Sequence, residues 1–252
     1  MTTTTRDRAG GSPVAWAVLL ITIVLGVVFD LATKHLAFEH LADQPVHIHR
    51  DAVLARKATG LDLNIRGPIP PIVESRPIPP LAQTELIPVH NSTVLVPYGL
   101  ELTLVLNPGA VFGIGAGKRW VFVAFTVIAA AVAITVFARS VHRHDLATQI
   151  ALGLVIAGGV GNLYDRLVYA CVRDFLHPLA GVNMPFGLPG PGGGTAVWPY
   201  VSNVADALLL IGIGVLLIRL WRSGGEPREA KGPDTGPDDP APARAGGQPP
   251  AV

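Results

Sequence analysis

Cysteine is almost missing from this chain of 252 residues: Cys171 stands alone, which excludes an intramolecular disulfide and any cysteine-built metal cluster. A buried small apolar residue is the reading that Cys171 invites, rather than a nucleophile. Charge is scarce as well. Asp, Glu, Lys and Arg make up 15% of the residues, against about 25% in ordinary soluble domains, and the formal net charge is +1. No basic face is concentrated enough to neutralise a run of phosphates, so nucleic acid is excluded as a partner. What the chain has in quantity is apolar length: 50% of its residues are hydrophobic and its mean hydropathy is +0.45, the composition of an integral membrane protein.

Four apolar stretches, about residues 14–30, 120–138, 147–164 and 203–221, have roughly the length that a helix needs to cross about 30 Å of hydrocarbon. A cleaved secretory leader is the competing reading of the first. It fails because no small-x-small cleavage pattern precedes Asp30, and DLATKHLAF continues as helix with Asp30 and Lys34 four apart on one face. Arg139, His142, Arg143 and His144 separate the second and third stretches, and Arg219 and Arg222 close the fourth. The positive-inside rule puts these in the cytoplasm, together with both termini and Arg6 and Arg8. The segments Phe38–Lys118 and His177–Pro199 then face outward. In the first of them, STVLVPYGLELTLVL alternates apolar and polar residues around Pro97 and Gly99, which predicts a small sheet on the membrane surface.

The expected fold class is therefore an α-helical integral membrane protein with four transmembrane helices and a small extracytoplasmic β-sheet element. Residues 1–13 form a cytoplasmic leader and 14–222 the membrane domain, which includes a β-element at about 85–112 and an extended loop at 39–84 without helical or strand period. Residues 223–252 hold thirteen Pro or Gly in thirty positions and read as a disordered cytoplasmic tail.

Three motifs fail on inspection. HIHR at 47–50 lacks a third ligand at a fitting interval, so a solvated loop is expected and no metal. GIGAGK departs from the phosphate-cradling pattern, with Phe112 where Gly is required and Arg119 where Ser or Thr is required. Asn91-Ser92-Thr93 fits a glycosylation acceptor, a pattern frequent by chance.

Polar residues at the outward ends of the spans make a different kind of set. Asp174 and Asp206 lie in GNLYDRLVYACVRDF and VSNVAD, stretches that abut apolar segments. An ionisable group at membrane depth costs about 2.5 to 3.5 kcal/mol, which makes such acids candidates for a working site. Asn162 and Arg166 are four apart and Asn203 and Asp206 three apart, so each pair shares a helix face. On the topology above, Asp30 and Asn107 converge on the same side. Helix capping and mutual pairing account for any one of these residues but not for two acids, one Arg and three Asn together. Two carboxylates held close in a low-dielectric site cannot both ionise easily, and the pair then offers a base and an acid at once, the apparatus of an aspartic protease. The expectation is that these acids, from separate membrane helices, share one water.

The motifs resemble those of the lipoprotein signal peptidase family, signal peptidase II, of bacterial plasma membranes. DLATK at 30–34, NPGAVFG at 107–113, GGVGNLYDR at 158–166 with VRDF at 172–175, and NVAD at 203–206 carry the resemblance. It implies a catalytic dyad of Asp174 and Asp206. Asn162, Arg166 and Asn203 would orient the dyad and substrate, with Asp30, Lys34, Asn107 and Gly109 lining or bracing the site. It also implies cleavage of prolipoproteins just before a diacylglyceryl-modified cysteine, with no metal or cofactor, by a single chain among membrane lipids in the bacterial inner membrane, its active site on the extracytoplasmic side. The chain departs from the family at Ser202, where Phe is frequent, and at Ala170, where Gly is. A proton- or cation-coupled transporter or channel subunit is the alternative; it predicts acids near the midplane and an inverted repeat. A non-catalytic lipoprotein-binding relative is the other.

Overall fold

The computed structural model describes residues 7–73, 76–109 and 119–224. The expected tail from residue 225 onward, the first six residues, and residues 110–118, which include most of the NPGAVFG turn and GIGAGK, lie outside the described residues.

Among the described residues, four helices are long and apolar enough to cross a membrane. Helix α1 spans Pro13–His40, α4 Arg119–Ser140, α5 Leu146–Val168 and α6 Val204–Gly224. Local chemistry starts them: the Ser12 hydroxyl accepts from Ala15 N at 3.3 Å ahead of Pro13 in the first turn, and the Asp145 carboxylate accepts from Thr148 N at 3.2 Å. Helix α1 runs unbroken past Asp30 to His40, so Asp30 and Lys34 sit within a continuous helix.

Helix α5 is central, packed against α6, α1 and α4. Small residues permit this close approach, as expected where helices meet without a hydrophobic driving force. A Cβ added at Gly158 would strike the Ala205 carbonyl oxygen of α6, and one at Gly161 would strike the Asp30 carboxylate of α1. At the inner end the leader is zipped to the α4–α5 connection, with Ala9 N donating to Val141 O at 2.8 Å and Arg143 N to Asp7 O at 3.0 Å. Trp16 meets Phe137 edge-on at 4.8 Å beside them. Arg219 of α6 pairs with Asp145 at 2.8 Å at the same end.

The opposite end carries the cap. Strands β3 (Thr93–Val96) and β4 (Leu100–Asn107) form a hairpin, and β5 (Val172–Pro178) pairs antiparallel with the other edge of β4. The register shifts between Leu102 and Val105 and sets Val105 opposite Asp174 and Asn107 opposite Val172. Beneath the sheet lies a core that includes Phe38, Val53, Leu63, Ile87, Leu104, Leu106 and Phe175.

Residues 39–84 are not the extended loop expected from their composition. They fold into helix α2 (Arg50–Thr59), a two-residue ladder of β1 (Ile72–Val73) with β2 (Arg76–Pro77), and the short helix α3 (Pro80–Gln83). Helix α2 escapes a hydrophobicity reading because the face it buries is Ala52, Val53 and Arg56. The Arg56 guanidinium is buried yet satisfied, donating to Ala82 O and Leu63 O at 3.2 Å each and to Thr84 O. Gly60, at φ 76, closes the helix in the left-handed conformation that glycine adopts without strain.

Candidate functional site

Asp174 and Asp206 are brought together by elements of different kinds. Asp206 is in the first turn of α6, as expected of a helical acid. Asp174 is not on a membrane helix: α5 ends at Val168, Ala170 turns the chain at φ 61, and β5 begins at Val172. The VRDF stretch follows the helix as strand because Arg173 and Asp174 bond to separate partners beneath the cap while Val172 is buried and Phe175 enters the cap's core.

Two amides connect the acids. Asn203 Nδ2 donates to Asp174 Oδ1 at 2.5 Å and to Asn162 Oδ1 at 3.1 Å, while Asn162 Nδ2 donates to Asp206 Oδ1 at 2.8 Å. The amide orientations are dictated by their neighbours. Lys34 Nζ, which can only donate, lies 3.1 Å from Asn162 Oδ1 and forces the Asn162 nitrogen toward Asp206. Asp206 N donates to Asn203 Oδ1 at 3.1 Å, which turns the Asn203 nitrogen toward Asp174. Asn203 N returns a bond to Asp206 Oδ2 at 3.3 Å. Asn203 and Asp206 thus make a reciprocal box at the start of α6, so the capping use of these residues and their place in the acid pair coexist.

A second polar layer lies beneath. Lys34 Nζ is 2.8 Å from Asp30 Oδ2 and 3.4 Å from Asp165 Oδ2, with all three side chains buried. Asp30 Oδ1 accepts from Ala205 N at 2.8 Å, so α1 holds the first turn of α6 in place. Asp165 takes three bonds from Arg173: N at 3.0 Å, Nε at 3.2 Å and Nη2 at 2.9 Å. Arg173 also stacks on Tyr169 at 4.3 Å. Asp165 and Arg173 were missed by sequence reasoning. The only signal for Asp165 was an acid beside Arg166 in an otherwise apolar span, and nothing in the spacing points to its partner.

Arg166 bonds to main-chain carbonyls beside the acids. Its guanidinium donates to Asn162 O at 3.2 Å and to Gly109 O at 3.0 Å and lies over the Phe122 ring, so it holds the 107–109 turn against α5. Asn107 Oδ1 accepts from Gly109 N at 3.0 Å within that turn. The Asp174 carboxyl is pushed well above the usual carboxylate range, first by burial and then by the charge of Asp206, against the hydrogen bonds of Asn203 and Asn107. Burial also pushes the Cys171 thiol, between α5 and β5, up to about 12.

The fold and the site define an integral membrane protein with four membrane-length helices whose capped end holds an amide-linked acid pair, one member buried and the other half-buried. A family model described as Signal peptidase (SPase) II matches residues 80–222, more than half of the 252-residue chain, and the chain belongs to the signal peptidase II family. A lipoprotein signal peptidase of Desulfitobacterium hafniense (strain DSM 10664 / DCB-2) is 35% identical over 118 residues, 47% of this chain and 66% of that protein. One of Streptococcus pyogenes serotype M6 is 37% identical over 123 residues, 49% of this chain and 70% of that protein. The match thus spans just under two thirds of the length of the Desulfitobacterium relative. A solved bacterial membrane enzyme shares the fold, with a TM-score of 0.53 and 23% identity over 84% of this chain and 92% of that one.

Proposed function

We propose that this chain is a membrane-embedded aspartic endopeptidase that removes signal peptides from diacylglyceryl-modified prolipoproteins, cutting just before the lipidated cysteine. The observation that carries the reading is the amide bridge between Asp174 and Asp206. It holds two carboxyls from different elements in one polar cluster at the capped end of the bundle.

The roles follow from the surroundings. Asp174, 1% exposed, keeps the proton that burial favours. Asp206, only half-buried, receives donors from Asn162 Nδ2 and Asn203 N at the positive end of α6 and carries the charge. Asp206 takes a proton from water as the water oxygen bonds to the peptide carbonyl carbon. The Asp174 proton goes to the developing oxyanion. When the tetrahedral carbon collapses, the C–N bond breaks and the leaving amine takes the proton held by Asp206, while the oxyanion's returns to Asp174. The substrate is itself a membrane helix with a lipid tail, and the polar groups around the acids suit a stretch of peptide backbone unwound at membrane depth. Both acids come from one chain, so a single copy suffices.

Clustering of Arg139, Arg143, Arg219 and Arg222 at the end of the bundle opposite the acids favours cytoplasmic termini in a bacterial plasma membrane, with the site on the extracytoplasmic side. The test is cleavage of a diacylglyceryl-modified precursor by the purified protein. Asp174→Asn and Asp206→Asn each should cut at least about 10³-fold more slowly while still binding the precursor. Wild-type cleavage by either variant would overturn the reading.

A further inference from the structure

The family match begins at residue 80, leaving α2 outside it. Within α2, Lys57 reaches out of its own segment: Nζ donates to Ala170 O at 2.5 Å and to Pro108 O at 3.3 Å. These carbonyls belong to the two approaches on which the acid pair depends. Pro108 lies between Asn107 and Gly109, whose carbonyl Arg166 holds. Ala170 is the left-handed residue that turns the chain into β5, four positions before Asp174. Two carbonyl oxygens pointing at one place repel each other, and a donor-only cation between them removes the repulsion and fixes their separation. Lys57 forms no ion pair among the described residues, so these carbonyls are its recorded partners.

Other residues between α1 and β3 support β4, which leads to Asn107. Hairpin partner β3 covers β4 only at Leu100–Leu102. Beyond it, the Asn64 amide takes both main-chain groups of Leu106, accepting from its N at 2.7 Å and donating to its O at 3.0 Å. His90 Nε2 accepts from Leu104 N at 3.1 Å. Side chains thus stand in for the missing length of β3 up to the residue before Asn107, and buried Arg56 ties α2 to the neighbouring chain.

We infer that Lys57 is a positioning residue for the acid pair, acting through the carbonyls of Pro108 and Ala170. The kinetic part of the test rests on the peptidase reading; the exchange part does not. In Lys57→Met, kcat on the diacylglyceryl-modified precursor should fall roughly tenfold, with KM within about twofold of wild type. Lys57→Arg should recover at least half of the loss, because a guanidinium can also donate to both oxygens. Amide hydrogen exchange in Lys57→Met should quicken at Gly109 and at residues 170–174 while the rest of the cap keeps its wild-type rates. Unchanged kcat with unchanged exchange would overturn the inference. So would faster exchange throughout the cap with a matching drop in unfolding temperature and no rescue by arginine, which is the behaviour of a general staple. If the wild-type protein fails to cut the precursor, the peptidase reading falls and the exchange comparison alone decides the role of Lys57.

Discussion

Asp174 is the residue on which pH acts most directly. Its carboxyl titrates above the usual carboxylate range in the folded protein, so the proposed acid form is lost as pH rises through that raised value, and cleavage should fall on the alkaline side. The same shift bears on stability. Because the folded state holds this proton more tightly than the unfolded chain does, its contribution is complete below the unfolded pKa and is lost as pH rises toward the folded one. Asp174→Asn abolishes that loss, so its unfolding temperature should gain on the wild type as pH is raised, and a constant difference would contradict the assignment. Ala170 makes a simpler case. It is buried at φ 61, a conformation that costs a residue with a Cβ about 1 kcal/mol, so Ala170→Gly should raise stability by roughly that amount in thermal or denaturant unfolding. The position stood out in the sequence as one where the family has glycine. The reason, a left-handed turn from helix into strand, needed the backbone.

At the scale of elements, the membrane helices were legible because apolar length is a strong signal, and the β3–β4 hairpin because alternation is broken at Pro97 and Gly99. Helix α2 was not. Ten residues that bury two small side chains and an arginine leave no apolar stripe to detect. Strand β5 was hidden as well, since VRDF follows a helix closely and its pairing with β4 is a contact across more than sixty positions. Of the site, the dyad candidates, Asn162 and Asn203 could be read from spacing and motif. The Asp30–Lys34 pair was legible too, from its four-residue spacing and the DLATK motif, but its joining to Asp165 and Arg173 was not, because those charges meet across elements. Packing between elements gives its own test. Gly161 faces the Asp30 carboxylate, so Gly161→Ala should push α1 off α5 and break the bond from Ala205 N to Asp30, costing about 1 to 3 kcal/mol by the usual scale of overpacking. Its unfolding midpoint in detergent should fall, and precursor cleavage with it. Gly214, with nothing near its absent Cβ, should accept alanine without loss.

At the scale of the whole molecule, the two ends differ in what they hold: arginines and a zipped leader at one, the acids and the cap at the other. Orientation is testable by labelling intact cells with a membrane-impermeant thiol reagent. Ser92→Cys, on the cap, should react, and Ser140→Cys, at the arginine-rich end, should not; the reverse pattern would invert the topology. The native thiol should stay silent, since Cys171 is 1% exposed and its thiol is pushed up to about 12. One acid is planted in the first turn of a spanning helix and the other in a strand of the cap. Insertion of the bundle alone therefore assembles half a pair, and so does formation of the sheet alone. On the proposed reading, chemistry needs both pieces docked, so an inserted bundle without its settled cap would be inert toward its neighbours in the bilayer.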